Sequence, residues 1–170
     1  SVEFADGTAP LKIGTLAATE NTGVFFSCAK LAAITIPERT ITIGAYAFAS
    51  CTSLRSVVLP RSLTAIGVRC FNGCKNLPEI TVPENTEYIA AYAFDGCSGL
   101  NSITCEATTP PTVGNYAFNS LNNQIPVFVP CGAVSAYRAT TGWNEFPNIT
   151  EPYAQYSIAV NSQNGEMGVA

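Results

Sequence analysis

Histidine is missing from this chain altogether. Its absence removes every Ser–His and Cys–His nucleophile and every histidine-ligated metal scheme at once. Aspartate occurs only at Asp6 and Asp95, and no Gly-x-Ser-x-Gly, Gly-x-Gly-x-x-Gly or phosphate-binding loop is present. Charge is scarce too: 12% of residues carry it, about half of what a soluble domain usually has. Eight lysines and arginines against twelve acidic residues leave a net charge of −4 and a pI of about 4.7. The basic residues are scattered, which excludes a nucleic-acid footprint and an electrostatic anchor on anionic lipid. Apolar runs such as Ser56–Pro60 are cut short by proline, far below the roughly 20 residues that span a bilayer. The start shows no leader pattern of basic, apolar and small residues, and we read the sequence as an excised mature segment. The surface must then be built from Ser, Thr, Asn and Gly, as is common in secreted and surface β-rich proteins.

What is present is a repeat. Hydrophobic residues form 47% of the 170 residues, enough for one continuous core in one domain. Cysteines fall at Cys28, Cys51, Cys74 and Cys97, a period of 23 residues. Leucines keep the same period at Leu31, Leu54, Leu77 and Leu100. Phenylalanines follow at Phe25, Phe48, Phe71 and Phe94, then Phe118 after a one-residue insertion. Ile43, Ile66, Ile89 and Val113 make a further column, and Pro37, Pro60 and Pro83 another. Such self-similarity is the mark of a stacked array in which no unit closes a core alone.

Within a unit, Val57 and Leu59 are two apart and so share one face of a short strand, which Pro60 ends. The following Ile43-Gly-Ala-Tyr-Ala-Phe48 type segment suits a 3₁₀ or single α turn. Leu11 and Ile13 sit one period before Ile34 and Ile36, predicting a first strand stacked on that one. Val127–Val129 predicts a last strand, Ala133–Thr141 a helix stopped by Gly142, and Trp143, Phe146 and Ile149 the closing bulk. The repeats and their cap at 126–151 thus form one unit over 1–151. Residues 152–170, with Tyr156, Ile158 and Val160 weakly alternating, read as a linker or the start of a following domain.

These columns resemble the BspA-like leucine-rich repeats. The resemblance rests on Ile36-Pro37, Ile43-Gly44, Ala47-Phe48, Cys51 and Leu54, and again on Leu59-Pro60, Ile66-Gly67, Phe71, Cys74 and Leu77. Val129-Pro130, Tyr137, Gly142-Trp143, Phe146 and Ile149 are similar to that family's terminating cap. It implies an α/β leucine-rich-repeat solenoid: stacked parallel short strands with 3₁₀ or short helical turns, mostly β and irregular, with a C-terminal helical cap. It also implies a secreted or cell-surface bacterial protein, with no catalytic residues to carry over.

Chemistry-bearing residues are weighed on that frame. A line of cysteines about 4.8 Å apart cannot surround a zinc ion. Cys28, Cys51, Cys74 and Cys97 are therefore expected as buried free thiols of a core ladder beside Phe25, Phe48, Phe71, Phe94 and Phe118. A Cys105–Cys131 bridge is the one disulfide pairing open. Glu84 and Glu106 could act as a two-carboxylate pair, but with Glu38 and Arg61 they read as a solvated salt-bridge ladder. Asn148-Ile149-Thr150 matches a glycosylation sequon, which a bacterial protein would leave unused. Two surfaces are candidates for binding. One is the strand face, with Arg55, Ser56, Val58, Glu79, Thr81, Asn101 and Thr104; the other is a stripe of Tyr46, Arg69, Tyr92 and Tyr116. The expectation is a non-enzymatic monomer with no cofactor, no metal and no nucleic-acid partner. Its ligand is expected to be a protein, such as a host surface or matrix protein; the alternative is a glycan stacked on the tyrosines.

Overall fold

A computed structural model describes residues 9–16 and 23–152. The alternating tail therefore lies outside the described residues. Along the chain come β1 (Leu11–Ile13), β2 (Ala33–Thr35), β3 (Thr40–Ile43), β4 (Ser56–Val58), β5 (Ala65–Ile66) and β6 (Glu79–Val82). They are followed by β7 (Tyr88–Ile89), β8 (Ser102–Cys105), β9 (Thr112–Val113), β10 (Val127–Phe128), α1 (Val134–Ala139) and β11 (Ile149–Thr150). Every pairing is parallel, as a solenoid requires.

Each full repeat carries two strands, where the periodicity predicted one. The first follows the leucine and the second follows the proline that ends the first. Thr40-Ile-Thr-Ile43 has β-branched residues throughout, which favour the pleated conformation, and it is the second strand of a five-stranded sheet ordered β1-β3-β5-β7-β9. Its register is constant, with Ile43 on Ile66, Ile66 on Ile89 and Ile89 on Val113.

The predicted stacking of Leu11 and Ile13 on Ile34 and Ile36 is corrected by this sheet. Ile13 pairs with Ile43, and the Gly44 amide donates to the Ile13 carbonyl at 2.6 Å. Gly14 follows Ile13 as Gly44 follows Ile43. The Ile-Gly pair, not the count of 23, places β1.

The first-strand series is broken into β2-β4 and β6-β8-β10-β11. The cause is one residue. The Arg55 amide donates to the Ala32 carbonyl, and two repeats on the Asn101 amide donates to the Pro78 carbonyl, both at 2.8 Å. Pro78 occupies the equivalent place between them and has no N–H to give.

The turns before each phenylalanine are not helical. Alternate amides bond within the coil (Ala47 to Gly44, Ala49 to Tyr46) or to the next one (Tyr46 to Val68, Phe48 to Cys70, Ser50 to Asn72). Two left-handed residues per turn enforce this, Tyr46 with Ser50, Arg69 with Gly73, Tyr92 with Gly96 and Tyr116 with Ser120. A helix cannot propagate through φ near +55°.

The core is a column of flat rings. Phe25, Phe48, Phe71, Phe94 and Phe118 stack with centroids 5.0, 5.3, 5.3 and 5.7 Å apart and planes within 9° of parallel. Trp143 and Phe146 then turn across Phe118, at 50° and 78°, and end the column. The cap is latched onto the loop holding the inserted residue: the Tyr137 hydroxyl donates to the Ala107 carbonyl at 2.7 Å, and the Trp143 indole N–H to Pro111 at 3.0 Å. Helix α1 ends at Ala139, earlier than predicted, while Gly142 takes the left-handed turn (φ +88°) under Trp143.

Beside the rings runs the thiol ladder. Cys51, Cys74 and Cys97 each donate Sγ–H to the carbonyl of the phenylalanine 26 residues earlier, at 3.1, 3.2 and 3.0 Å. All seven cysteines are free, so the Cys105–Cys131 pairing is not made. Cys105 lies buried beside Tyr137, whereas Cys131 is exposed at the edge of the cap. The expected burial of Cys28 is likewise corrected: it is exposed, being the first rung, with a neighbouring rung on one side only among the described residues. Burial pushes the Cys51 thiol up to about 12 and holds Cys70 and Cys105 above the ordinary range. Contact with the Cys97 thiol, and then burial, raises Cys74. Raised and buried thiols are poor nucleophiles. A thiol reagent applied to the native protein at pH 8 should therefore titrate two cysteines, Cys28 and Cys131, and all seven in denaturant. Fast native labelling of four or more, counted by mass spectrometry, would contradict the thiol ladder.

Candidate binding surfaces

The two surfaces expected from the sequence are built by different parts of the coil. On the strand face, Arg55, Ser56, Val58, Glu79, Thr81 and Asn101 are exposed and Thr104 is half-buried. Ser56 lies beside Ala33, Glu79 beside Ser102, and Thr81 beside Thr104 and then Phe128. Apart from Val58, half exposed, this face is small and polar. The break at Pro78 divides it.

The expected salt-bridge ladder does not form. Glu38 accepts the backbone amide of Arg61 at 3.2 Å, and among the described residues no carboxylate–guanidinium contact links Glu38, Arg61 and Glu84. Each of these side chains is exposed, so solvation outweighs pairing. Glu84 and Glu106 do line one shallow groove with Arg61, Phe128 and Pro130. Both carboxylates are exposed to solvent there. Among the described residues no group of three or more metal-ligating side chains converges, and no helix is long and apolar enough to cross a membrane.

The Tyr/Arg stripe is a continuous ridge. The Arg69 guanidinium carbon lies 5.9 Å from the Tyr46 ring centre and 4.8 Å from that of Tyr92. Tyr92 stacks on Tyr116 at 5.2 Å with planes 24° apart. Tyr46, Arg69 and Tyr92 are half-buried, and Tyr116 is 62% exposed. All four have positive φ, between 53° and 59°. For a residue with a Cβ this costs roughly 1 kcal/mol or more relative to glycine. A structural turn alone would be served better by glycine, which Gly73 and Gly96 supply at the companion position in two of the four turns. The side chains must supply what the backbone forgoes.

Sequence reasoning missed one member. Phe26 meets Tyr46 edge-on at 6.4 Å and extends the ridge past its first tyrosine. Its column continues as Ala49, Asn72, Asp95 and Asn119, so periodicity hid it. That column has a polar task farther on, where Asp95 accepts from Asn72 (3.1 Å), Asn119 (2.9 Å) and Ser120 (3.1 Å) and ties three coils together.

Comparison with known proteins agrees with this geometry. Residues 20–133 match the BspA type leucine rich repeat region in six copies. A leucine-rich cell surface protein of Faecalibacterium prausnitzii A2-165 superposes with a TM-score of 0.58 and 27% identity. That match covers 84% of this chain and 33% of the other, so the chain spans about a third of its length. A leucine-rich repeat protein of Bacteroides ovatus ATCC 8483 matches at 21% identity and TM-score 0.37, over 73% of this chain and 52% of that one. No curated protein matches the chain. With its strand, turn and cap residues in the places described, this chain belongs to the BspA-type leucine-rich-repeat family.

Proposed function

We propose that this solenoid is a non-catalytic binding module at a bacterial surface, or secreted, and that it holds a protein partner against the Phe26–Tyr46–Arg69–Tyr92–Tyr116 ridge. One observation carries the reading: four successive coils hold a Tyr or Arg, never a glycine, in the left-handed conformation, and their side chains form one stacked row. Tyr and Arg are the side chains that concentrate contact energy in interfaces. A row fixed by the backbone loses little entropy on binding. The solved surface protein with the same fold favours the location.

The test is a change that separates binding from folding. Asparagine tolerates the left-handed region better than tyrosine. Tyr116→Asn should keep stability within about 1 kcal/mol, because relieved backbone strain offsets a lost exposed ring stack. Tyr92→Asn with Tyr116→Asn should reduce capture of host matrix or epithelial surface proteins at least tenfold. Capture unchanged in that folded variant, yet lost on replacing Arg55 and Glu79, would move the site to the strand face.

A glycan is the second reading, favoured by one local feature. The exposed Tyr116 ring borders a groove lined by Asn115, Asn119, Thr141 and Glu145, a ring platform flanked by hydrogen-bonding groups. Glycan-array signal that disappears in Tyr116→Asn would select it.

A further inference from the structure

The ridge contains a single cation, and its surroundings define what it meets. Arg69 stands where neighbouring coils have Tyr46 and Tyr92, and its guanidinium lies within cation–π distance of both rings. The rings engage the charge but accept none of the in-plane N–H donors. Those donors have no carboxylate or carbonyl acceptor among the described residues. The only aspartate near this part of the turn, Asp95, already accepts from Asn72, Asn119 and Ser120. The backbone that carries Arg69 is fixed in place. It is held at φ 53°, with its amide bonded to Ala91 at 3.0 Å and its carbonyl taking the Asn72 amide at 3.2 Å. A guanidinium held against two rings, with no carboxylate reaching it among the described residues, is a fork open to a planar partner.

We propose that Arg69 receives the carboxylate of an acidic side chain on the protein partner, two N–H groups facing two oxygens, while Tyr46, Tyr92 and Tyr116 cover apolar side chains beside it. The assignment rests on the ridge being the protein-binding surface and adds the chemistry of the partner. Arginine is selected over lysine here because only a planar group stacks on rings and grips a carboxylate bidentately at once.

The experiment uses the whole chain and two fluorescein-labelled hexapeptides, one alternating glutamate with phenylalanine and the other glutamine with phenylalanine, followed by fluorescence anisotropy. The glutamate peptide should bind at least tenfold tighter than the glutamine peptide, and raising NaCl from 50 to 500 mM should erase most of the difference. Arg69→Lys, with its fold checked by circular dichroism, should lose at least fivefold in affinity for the glutamate peptide despite keeping its charge. The peptide pair on the unaltered protein decides the matter even if that variant unfolds. Equal affinity for both peptides overturns the assignment, as does an undiminished glutamate preference in folded Arg69→Lys. Binding of 3′-sialyllactose with no binding of either peptide overturns it in favour of an acidic sugar. If the assignment fails while Tyr92→Asn with Tyr116→Asn still abolishes capture of surface proteins, the protein-binding ridge stands without its carboxylate. Failure of both peptides and of surface-protein capture removes the two together.

Discussion

Raising the pH from 8 to 10 should strip this protein of a large part of its stability. Cys51, Cys70, Cys74 and Cys105 are buried, and each thiol is held above its ordinary range in the fold. In the unfolded chain the same thiols release their protons from about pH 8.5 upward. Between the unfolded and folded pKa the unfolded state binds fewer protons, so the stability present below pH 8.5 is lost as pH rises. The loss is about 1.4 kcal/mol per thiol per pH unit. For Cys51 it continues until about 12. Cys51 alone loses about 2 kcal/mol by pH 10, against a typical total of about 5–15 kcal/mol, and Cys70, Cys74 and Cys105 act in the same direction. Urea midpoints measured in reductant at fixed ionic strength should be flat up to pH 8 and then fall steeply. Cys74→Ala, although less stable throughout, should show a shallower fall. A midpoint that holds to pH 10 would mean that the thiols ionise without opening the core. Burial also raises the Tyr137 hydroxyl, whose unfolded form titrates near pH 10, so its contribution enters only at the upper end of this range.

Phe71→Ala should be the most damaging single truncation in the ring column. Phe71 is fully buried and stacks on both neighbours at 5.3 Å, with planes 7° and 5° from parallel. Removing a buried phenylalanine costs about 3–5 kcal/mol, the upper part of that range where the surroundings cannot collapse into the space. Collapse is resisted here because each coil is hydrogen-bonded to the next through its turn: Phe48 to Cys70 and Phe71 to Ala93, both at 2.8 Å. A solenoid is stabilised by nearest-neighbour interfaces, and this truncation weakens two at once. Unfolding should then lose its sharpness, with the N-terminal coils melting before the capped ones. Phe25→Ala, at the half-buried first described ring of the column, should cost about half as much by area. Equal losses for Phe25 and Phe71, read from urea denaturation, would contradict a cost set by the buried ring area each truncation removes.

Much of this architecture was legible in the residues because a solenoid is nearly one-dimensional. Phe48, Phe71 and Phe94 recur at one spacing since each meets the same residue of the next coil, and the cysteines and leucines follow for the same reason. The cap was legible through Trp143, Phe146 and Ile149, bulky residues outside the period. The second strand was not, because Thr40–Ile43 mixes inward isoleucine with a turn-like Ile-Gly ending that resembles a loop. The ridge was named from its column, yet neither its left-handed backbone nor Phe26 could be read there. A φ value leaves no trace in composition when Tyr and Arg occupy it.

The sequence by itself determined the repeat, its family, the ring and thiol columns and the absence of histidine chemistry, because these depend on residue identity at a fixed interval. Tertiary structure alone decided three things. Ile13 pairs with Ile43, since strand placement follows the Ile-Gly hydrogen-bonding geometry and not the count between residues. The first sheet stops at Pro78, where a missing N–H acts only through the neighbour it should have reached. Arg69 lies between two tyrosine rings with its fork unpaired among the described residues, because that depends on which side chains the stacked coils place within 6 Å of one another.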